Sequence, residues 1–218
     1  MQSVDNYLRW LCATRYLKLA KGIGANTMGV IERPELLQRH RITVDEYYRM
    51  AETGILAPDA RVELIEGEIV DMAPMKSRHA NVVAEMMERL FPVVRGRARV
   101  ICQAPLRLGP KSEPEPDLML VKRRPDGYSK GHPTAADVIL VIEVSDSSLR
   151  YDRGIKVPLY ARHGVPEVWI IDLENELVRF YRQPHGEHYT DITATETPGP
   201  TAVAGLDSVS VDLGGLLA

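Results

Sequence analysis

The chain has 218 residues, 44% hydrophobic and 26% charged, the profile of an ordinary globular protein with one large domain. Its 27 Lys and Arg against 30 Asp and Glu give a formal charge of -3, so any contact with a polyanion must rest on a local basic patch. No run approaches the roughly 18–20 apolar residues of a membrane span.

Residues 1–40 mix Asp5, Arg9, Arg15, Lys18 and Lys21 with apolar residues, so they lack the continuous core of a secretory signal. They read as an extension, with Met28 an alternative start and the domain expected over 41–218. Cys12 and Cys102 form neither a disulfide framework nor a zinc spacing, which fits small buried hydrophobes in a reducing compartment and makes the cytoplasm the expected location.

From Arg41 the pattern sharpens. Thr43 with Glu46 three residues on is a capping box, and Val44, Tyr47, Tyr48 and Ala51 recur at helical spacing before Gly54. RVELIEGEIVDM predicts a hairpin turning at Glu66 and Gly67, with Glu63 and Glu68 close to the turn. Ser77 is the predicted cap of a helix whose apolar face is Val82, Val83, Met86, Met87 and Leu90. ARVICQ reads as a strand. The proline-rich GPKSEPEP leads into a second strand at 117–121. VILVIEV at 138–144 is apolar except at Glu143, which predicts a strand covered on both faces. SDSSLRYDRGIKVPLYARHG predicts a helix ended by Gly164, with Pro158 tolerable only near a helix start or at a kink. EVWIID and LVRFYR flank a second hairpin turn at Glu174, Asn175 and Glu176, and the tail beyond Thr190 is weakly patterned. This order predicts mixed α and β structure, with one central sheet and helices outside it.

Several motifs fail. KGIGANTMG has the wrong glycine spacing for a dinucleotide fingerprint, GPKS is not a phosphate-binding loop, and no GxSxG occurs. His185 and His188 fall in a turn flanked by proline and glycine, which favours solvent exposure over metal binding.

Three acids resist a purely structural explanation: Glu63, Asp117 after Pro116, and Glu143 inside its apolar strand. Burying a carboxylate without a partner costs several kcal/mol in effect, so such an acid is usually paired or holds a cation. For Glu143 the plain alternative is an exposed strand end or neutralisation by an arginine.

Taken together, Pro116-Asp117, the Glu143-Val144-Ser145 triplet and Lys156 on the following helix resemble the PD-(D/E)XK restriction-endonuclease-like superfamily. RVELIEGEIVDMAP, EPEPDLMLV and VILVIEVSDSSLRYDRGIKVPLYARHGVPEVWIID resemble, more narrowly, the Uma-two family of restriction endonucleases, over residues 42–181. The resemblance implies a metal-dependent DNA endonuclease with a restriction-endonuclease-like α/β core, its central mixed sheet flanked by helices and supplemented by β-hairpins. It also implies Asp117, Glu143 and Lys156 as the active-site group, with Glu63 an additional carboxylate. One position departs from the superfamily pattern: Ser145 stands two residues after Glu143 where a lysine is usual, and the family places the lysine later, at Lys156.

The residue types suit that chemistry. Mg²⁺ or Mn²⁺ takes oxygen ligands, so Asp117, Glu143 and the Val144 carbonyl make an open site, with Lys156 placed to orient water or offset phosphate charge. Asp152, one turn before Lys156, is its alternative ion-pair partner, and Asp152 and His79 are candidate supporting residues. Arg150 and Arg153, with Lys122, Arg123 and Arg124 just beyond the 117–121 strand, are candidate phosphate contacts. DNA is the expected partner and a homodimer the candidate assembly. The alternative function is a nucleic-acid or protein binding module that keeps the fold without catalysis.

Overall fold

The computed structural model describes residues 39–217. The expected extension up to residue 38, with Met28, KGIGANTMG and Cys12, lies outside the described residues. Helix α1, Val44–Glu52, begins on the capping box: Thr43 Oγ1 accepts the Glu46 N–H at 3.3 Å, and Glu46 Oε2 accepts the Thr43 N–H at 2.8 Å. Such a cap contributes about 1 kcal/mol.

The hairpin forms as expected from β1, Val62–Ile65, and β2, Glu68–Asp71. Its turn holds Glu66 at φ 51° and Gly67 at φ 79°, and a Cβ on Gly67 would stand 2.9 Å or less from Arg41 atoms, so only glycine fits. Helix α2, Ser77–Val94, departs from expectation at its start: Lys76 is the N-cap and Ser77 the first helical residue, with no side-chain cap. The extended backbone falls on Lys76, whose ammonium is tied to Asp146 at 2.9 Å.

The centre is one six-stranded sheet in the order β3-β4-β5-β6-β7-β8. Its strands are Ala98–Cys102, Leu118–Lys122, Val138–Ser145, Glu167–Asp172, Leu177–His185 and His188–Thr195. Only β5 and β6 run parallel, as the intervening helical crossover allows, so the sheet is mixed. Every residue of β5 is buried. Its Leu140, Ile142 and Val144 pack on the layer made by α2 and the C-terminal segment, while Val141 faces the layer of the crossover helix. By the two-residue period of a strand, Glu143 and Ser145 share the crossover face with Val141.

The crossover is not a plain helix. A short α3, Leu149–Tyr151, runs into a π-helical turn, Asp152–Lys156, and then α4, Val157–Arg162, with Pro158 just after the π turn, where the regular α ladder is already interrupted. Four residues of α-helix over-rotate by about 40°; the wider π turn rotates the chain less per residue and offsets this. Asp152, Lys156 and Tyr160 are therefore all buried against the sheet. Gly164, at φ 73°, ends the helix.

The weakly patterned tail is ordered structure. It supplies the edge strand β8 and the pair β9, Pro200–Ala202, with β10, Ser210–Asp212, and its Val203, Val209, Val211 and Leu213 pack against the α2 side of the core.

Candidate active site

Register brings the first two acids together. Leu118 of β4 pairs with Ile142 of β5 in an antiparallel ladder, so Asp117, one residue earlier, stands opposite Glu143. The Asp117 N–H points at Glu143 Oε2 across 3.4 Å, and Asp117 Oδ2 accepts the Val144 N–H at 2.9 Å. Asp117 Oδ1 lies 2.8 Å from His79 Nε2, which α2 delivers from its first turn, and that contact raises the histidine's pKa.

Glu63 enters from β1. Its Oε2 accepts the Glu115 N–H at 3.0 Å. The π turn places the Lys156 ammonium between the acids, 2.7 Å from Glu143 Oε1 and 3.5 Å from Glu63 Oε2, and Tyr160 donates its hydroxyl to Glu143 Oε1 at 2.6 Å. Glu63, Glu143 and Lys156 are each at most 4% exposed. Burial pushes the Glu143 carboxyl up to about 8; Lys156 pulls against this, while Asp152 and Asp117 add to it. Glu143, Glu63 and Asp152 hold Lys156 in its charged form against its own burial.

Asp152 is not the lysine's ion-pair partner. Its Oδ2 accepts the hydroxyls of Ser145 at 2.7 Å and Ser148 at 2.6 Å. Ser145, standing where a lysine is usual, thus holds the start of the turn that carries Lys156. Glu63, His79, Asp117, Glu143, Asp152 and Lys156 line a cleft of about 310 Å³. Its walls carry Glu63, Asp71, Glu115, Asp117, Glu143, Asp146 and Asp152 against only Arg61, Lys76 and Lys156 as fixed bases.

Among the described residues no three His, Cys, Asp or Glu side chains converge as a ready-made metal cage. The donor set still fits a hard cation that keeps most of its water. Two facing carboxylates and Val144 line the cleft wall, and a cation there would favour the ionised form of Glu143, which burial first and then the neighbouring Asp152 and Asp117 disfavour.

The basic candidates divide. Arg150 and Arg153 are exposed and line a neighbouring, larger cleft that meets the acidic one at Ser147. Lys122 and Arg124 lie at and beyond the opposite end of β4 from Asp117; Lys122 donates to the Ala136 carbonyl, and Arg124 pairs with Asp126 at 2.8 Å.

Sequence reading missed Glu115, Tyr160 and Tyr151. Glu115 lines the cleft, its pKa raised by burial and then by Glu63, and its position two before Asp117 in an extended run is a usable signal. Tyr160, four residues after Lys156, is legible by helical spacing. The Tyr151 hydroxyl is buried with no hydrogen bond of good geometry, and its pKa is raised by burial first and then by the nearby Glu63 charge.

A mixed sheet that carries facing acids on adjacent strands and a lysine on the crossover helix defines a restriction-endonuclease-like protein. Residues 44–213 match the model described as "Uma2: Putative restriction endonuclease", and the chain belongs to this family. It is also similar in fold to the crystal structure of a "putative nuclease belonging to DUF820" from Anabaena variabilis. The TM-score is 0.63 and the identity 20%, over 81% of this chain and 97% of that one. No curated protein matches the chain.

Proposed function

We propose that this protein is a Mg²⁺- or Mn²⁺-dependent DNA endonuclease whose active-site group is Asp117, Glu143 and Lys156, with Glu63 as a further carboxylate. The observation that carries this reading is the buried ammonium of Lys156, 2.7 Å from Glu143, at the wall of a cleft dominated by acids. A wholly structural ion pair has no need of a cleft or of additional uncompensated carboxylates beside it.

Asp117, Glu143 and the Val144 carbonyl would hold the cation. When bound, it lowers the pKa of a coordinated water and neutralises charge on phosphate. Without a cation, the acidic walls repel a phosphodiester. His79 orients Asp117 through its 2.8 Å contact, and Tyr160 fixes the Glu143 carboxylate through its bond to Oε1. Lys156 is protonated, so it donates hydrogen bonds to the attacking water or to a phosphate oxygen and offsets the charge that gathers there.

The test is cleavage of supercoiled plasmid by purified protein with Mg²⁺ or Mn²⁺, against the same reaction with chelator. Metal-dependent nicking is expected in the wild type. Lys156→Ala should slow it by about 10² or more with little change in Mn²⁺ affinity. Lys156→Arg should rescue poorly, because a planar guanidinium does not fit where a compact ammonium sits. Equal cleavage by wild type and Lys156→Ala at saturating metal would remove Lys156 from the mechanism.

A further inference from the structure

The cleft beside the acidic one has a volume of about 920 Å³ and runs between the crossover helix and the β7-β8 edge of the sheet. Its floor is the buried pair Tyr181 and Tyr189, with Ile192 exposed at the rim. Arg150 and Arg153 form one wall. The two clefts adjoin at Ser147, which lines both, so the second cleft lies directly beside the carboxylates.

Charge separates these arginines from others near them. Arg162 pairs with Glu66 and, at 2.9 Å, with Glu187; Arg179 lies 3.8 Å from Asp172; and Arg182 lies 2.6 Å from Glu167. Arg150 and Arg153 are exposed and pair with no carboxylate among the described residues, although Glu174 and Glu187 line the same cleft. Arg150 on α3 and Arg153 in the π turn both line this cleft. In a protein of net charge -3, two unneutralised guanidinium groups at the mouth of an acidic site are a local complement to an anionic chain.

We infer that Arg150 and Arg153 hold the nucleic-acid backbone flanking the cleaved bond, in the cleft beside the acidic one. The acidic cleft supplies no sequence-independent grip on a polyanion; Arg150 and Arg153 supply one next to it. Arg forks match phosphate oxygens in pairs, and the contact carries no base information. This inference rests on the nuclease reading for its ligand, but its readout is binding and not turnover.

The experiment measures affinity for a fluorescent DNA duplex at several salt concentrations, in Ca²⁺, for the wild type, Arg150→Ala, Arg153→Ala, the double variant and Arg97→Ala. Arg97 is an exposed arginine next to the far end of β3 and serves as the control. Each phosphate contact contributes about 0.9 to the slope of log K against log salt. Each single variant should therefore lose about one unit of slope, the double variant about two, and Arg97→Ala none, with Mn²⁺ affinity unchanged throughout. A slope equal to wild type in the double variant overturns the inference. So does an equal loss in Arg97→Ala, which would mean diffuse attraction, and so does a wild type that does not bind the duplex. A wild type that binds with these slopes yet leaves plasmid intact in Mn²⁺ supports the arginine contacts and overturns the endonuclease reading alone.

Discussion

Two glutamates on adjacent parallel strands are buried to almost the same degree and have different surroundings. Glu143 on β5 is 2% exposed and Glu167 on β6 is 0% exposed. Each is offered three donors. Glu143 has Lys156 and Tyr160 at 2.7 and 2.6 Å, with the Asp117 N–H at 3.4 Å. Glu167 has the Arg182 and Trp169 N–H groups at 2.6 and 2.8 Å, with the Ala204 N–H at 2.8 Å. Neither burial nor the number of donors separates them; their company does. Glu167 faces a cation and two neutral N–H groups, and ties the C-terminal segment to the sheet. Glu143 shares its cleft with Asp117, Glu63 and Asp152, so its single lysine leaves negative charge uncompensated.

The largest effect that sharpens this contrast is on stability. Glu167→Ala should cost about 3–5 kcal/mol in chemical denaturation, because it strands a guanidinium and a buried indole N–H, and it should leave Mn²⁺ affinity unaltered. Glu143→Gln, measured above about pH 8 where Glu143 is ionised, should cost clearly less than Glu167→Ala, since it removes a carboxylate crowded by other acids while keeping an acceptor for Lys156 and Tyr160. A Glu143→Gln loss as large as that of Glu167→Ala would make both acids structural.

pH separates them next. Between the ordinary 4.5 and about 8, folded Glu143 keeps a proton that the unfolded chain has released. The native state therefore binds more protons in that window, and stability falls as pH rises through it, with the whole penalty present above about pH 8. The slope should reach roughly 1 kcal/mol per pH unit, and Glu143→Gln should flatten it. Denaturation curves at about pH 5, 6.5 and 8 test this, and the same fall in the variant would assign it to other groups.

Metal affinity comes third. Asp117→Asn or Glu143→Gln should weaken Mn²⁺ binding at least about tenfold by calorimetry, the equivalent of ~1.4 kcal/mol for one lost anionic ligand. Unchanged affinity in both variants would detach the acid pair from metal binding.

The smallest effect concerns two tyrosines on one helical segment. Tyr160→Phe should cost about 1–2 kcal/mol because it removes a donor from a buried carboxylate. Tyr151→Phe removes a hydroxyl that has no hydrogen bond of good geometry and should be neutral or slightly stabilising in thermal denaturation. A large loss in Tyr151→Phe would show that its hydroxyl bonds Glu63.

Much of this architecture is written locally. The Thr43 capping box, the Glu66-Gly67 turn, the apolar 138–144 strand and the Gly164 stop each depend on a few neighbouring residues whose φ/ψ or periodicity admits one solution. That is why the order of elements from α1 to β7 was legible, and why Glu143 stood out as an acid where apolar periodicity left no room for one. Other features were decided only in three dimensions. Ser77 reads as a cap and is not one, because the extended residue at that junction is Lys76, tethered to Asp146 just past the C-terminal end of β5. The tail lacks period because β8 is a mostly exposed edge strand and β9 and β10 are only three residues each, and it is ordered by packing on α2 and by the Glu167 bond to Ala204. Above all, helical spacing made Asp152 a plausible partner for Lys156; the π turn instead aims the ammonium at acids 13 and 93 residues earlier in the chain, Glu143 and Glu63. Charge pairing across a sheet depends on register and on the phase of the covering helix, and a single wider turn resets that phase without leaving a mark in local composition.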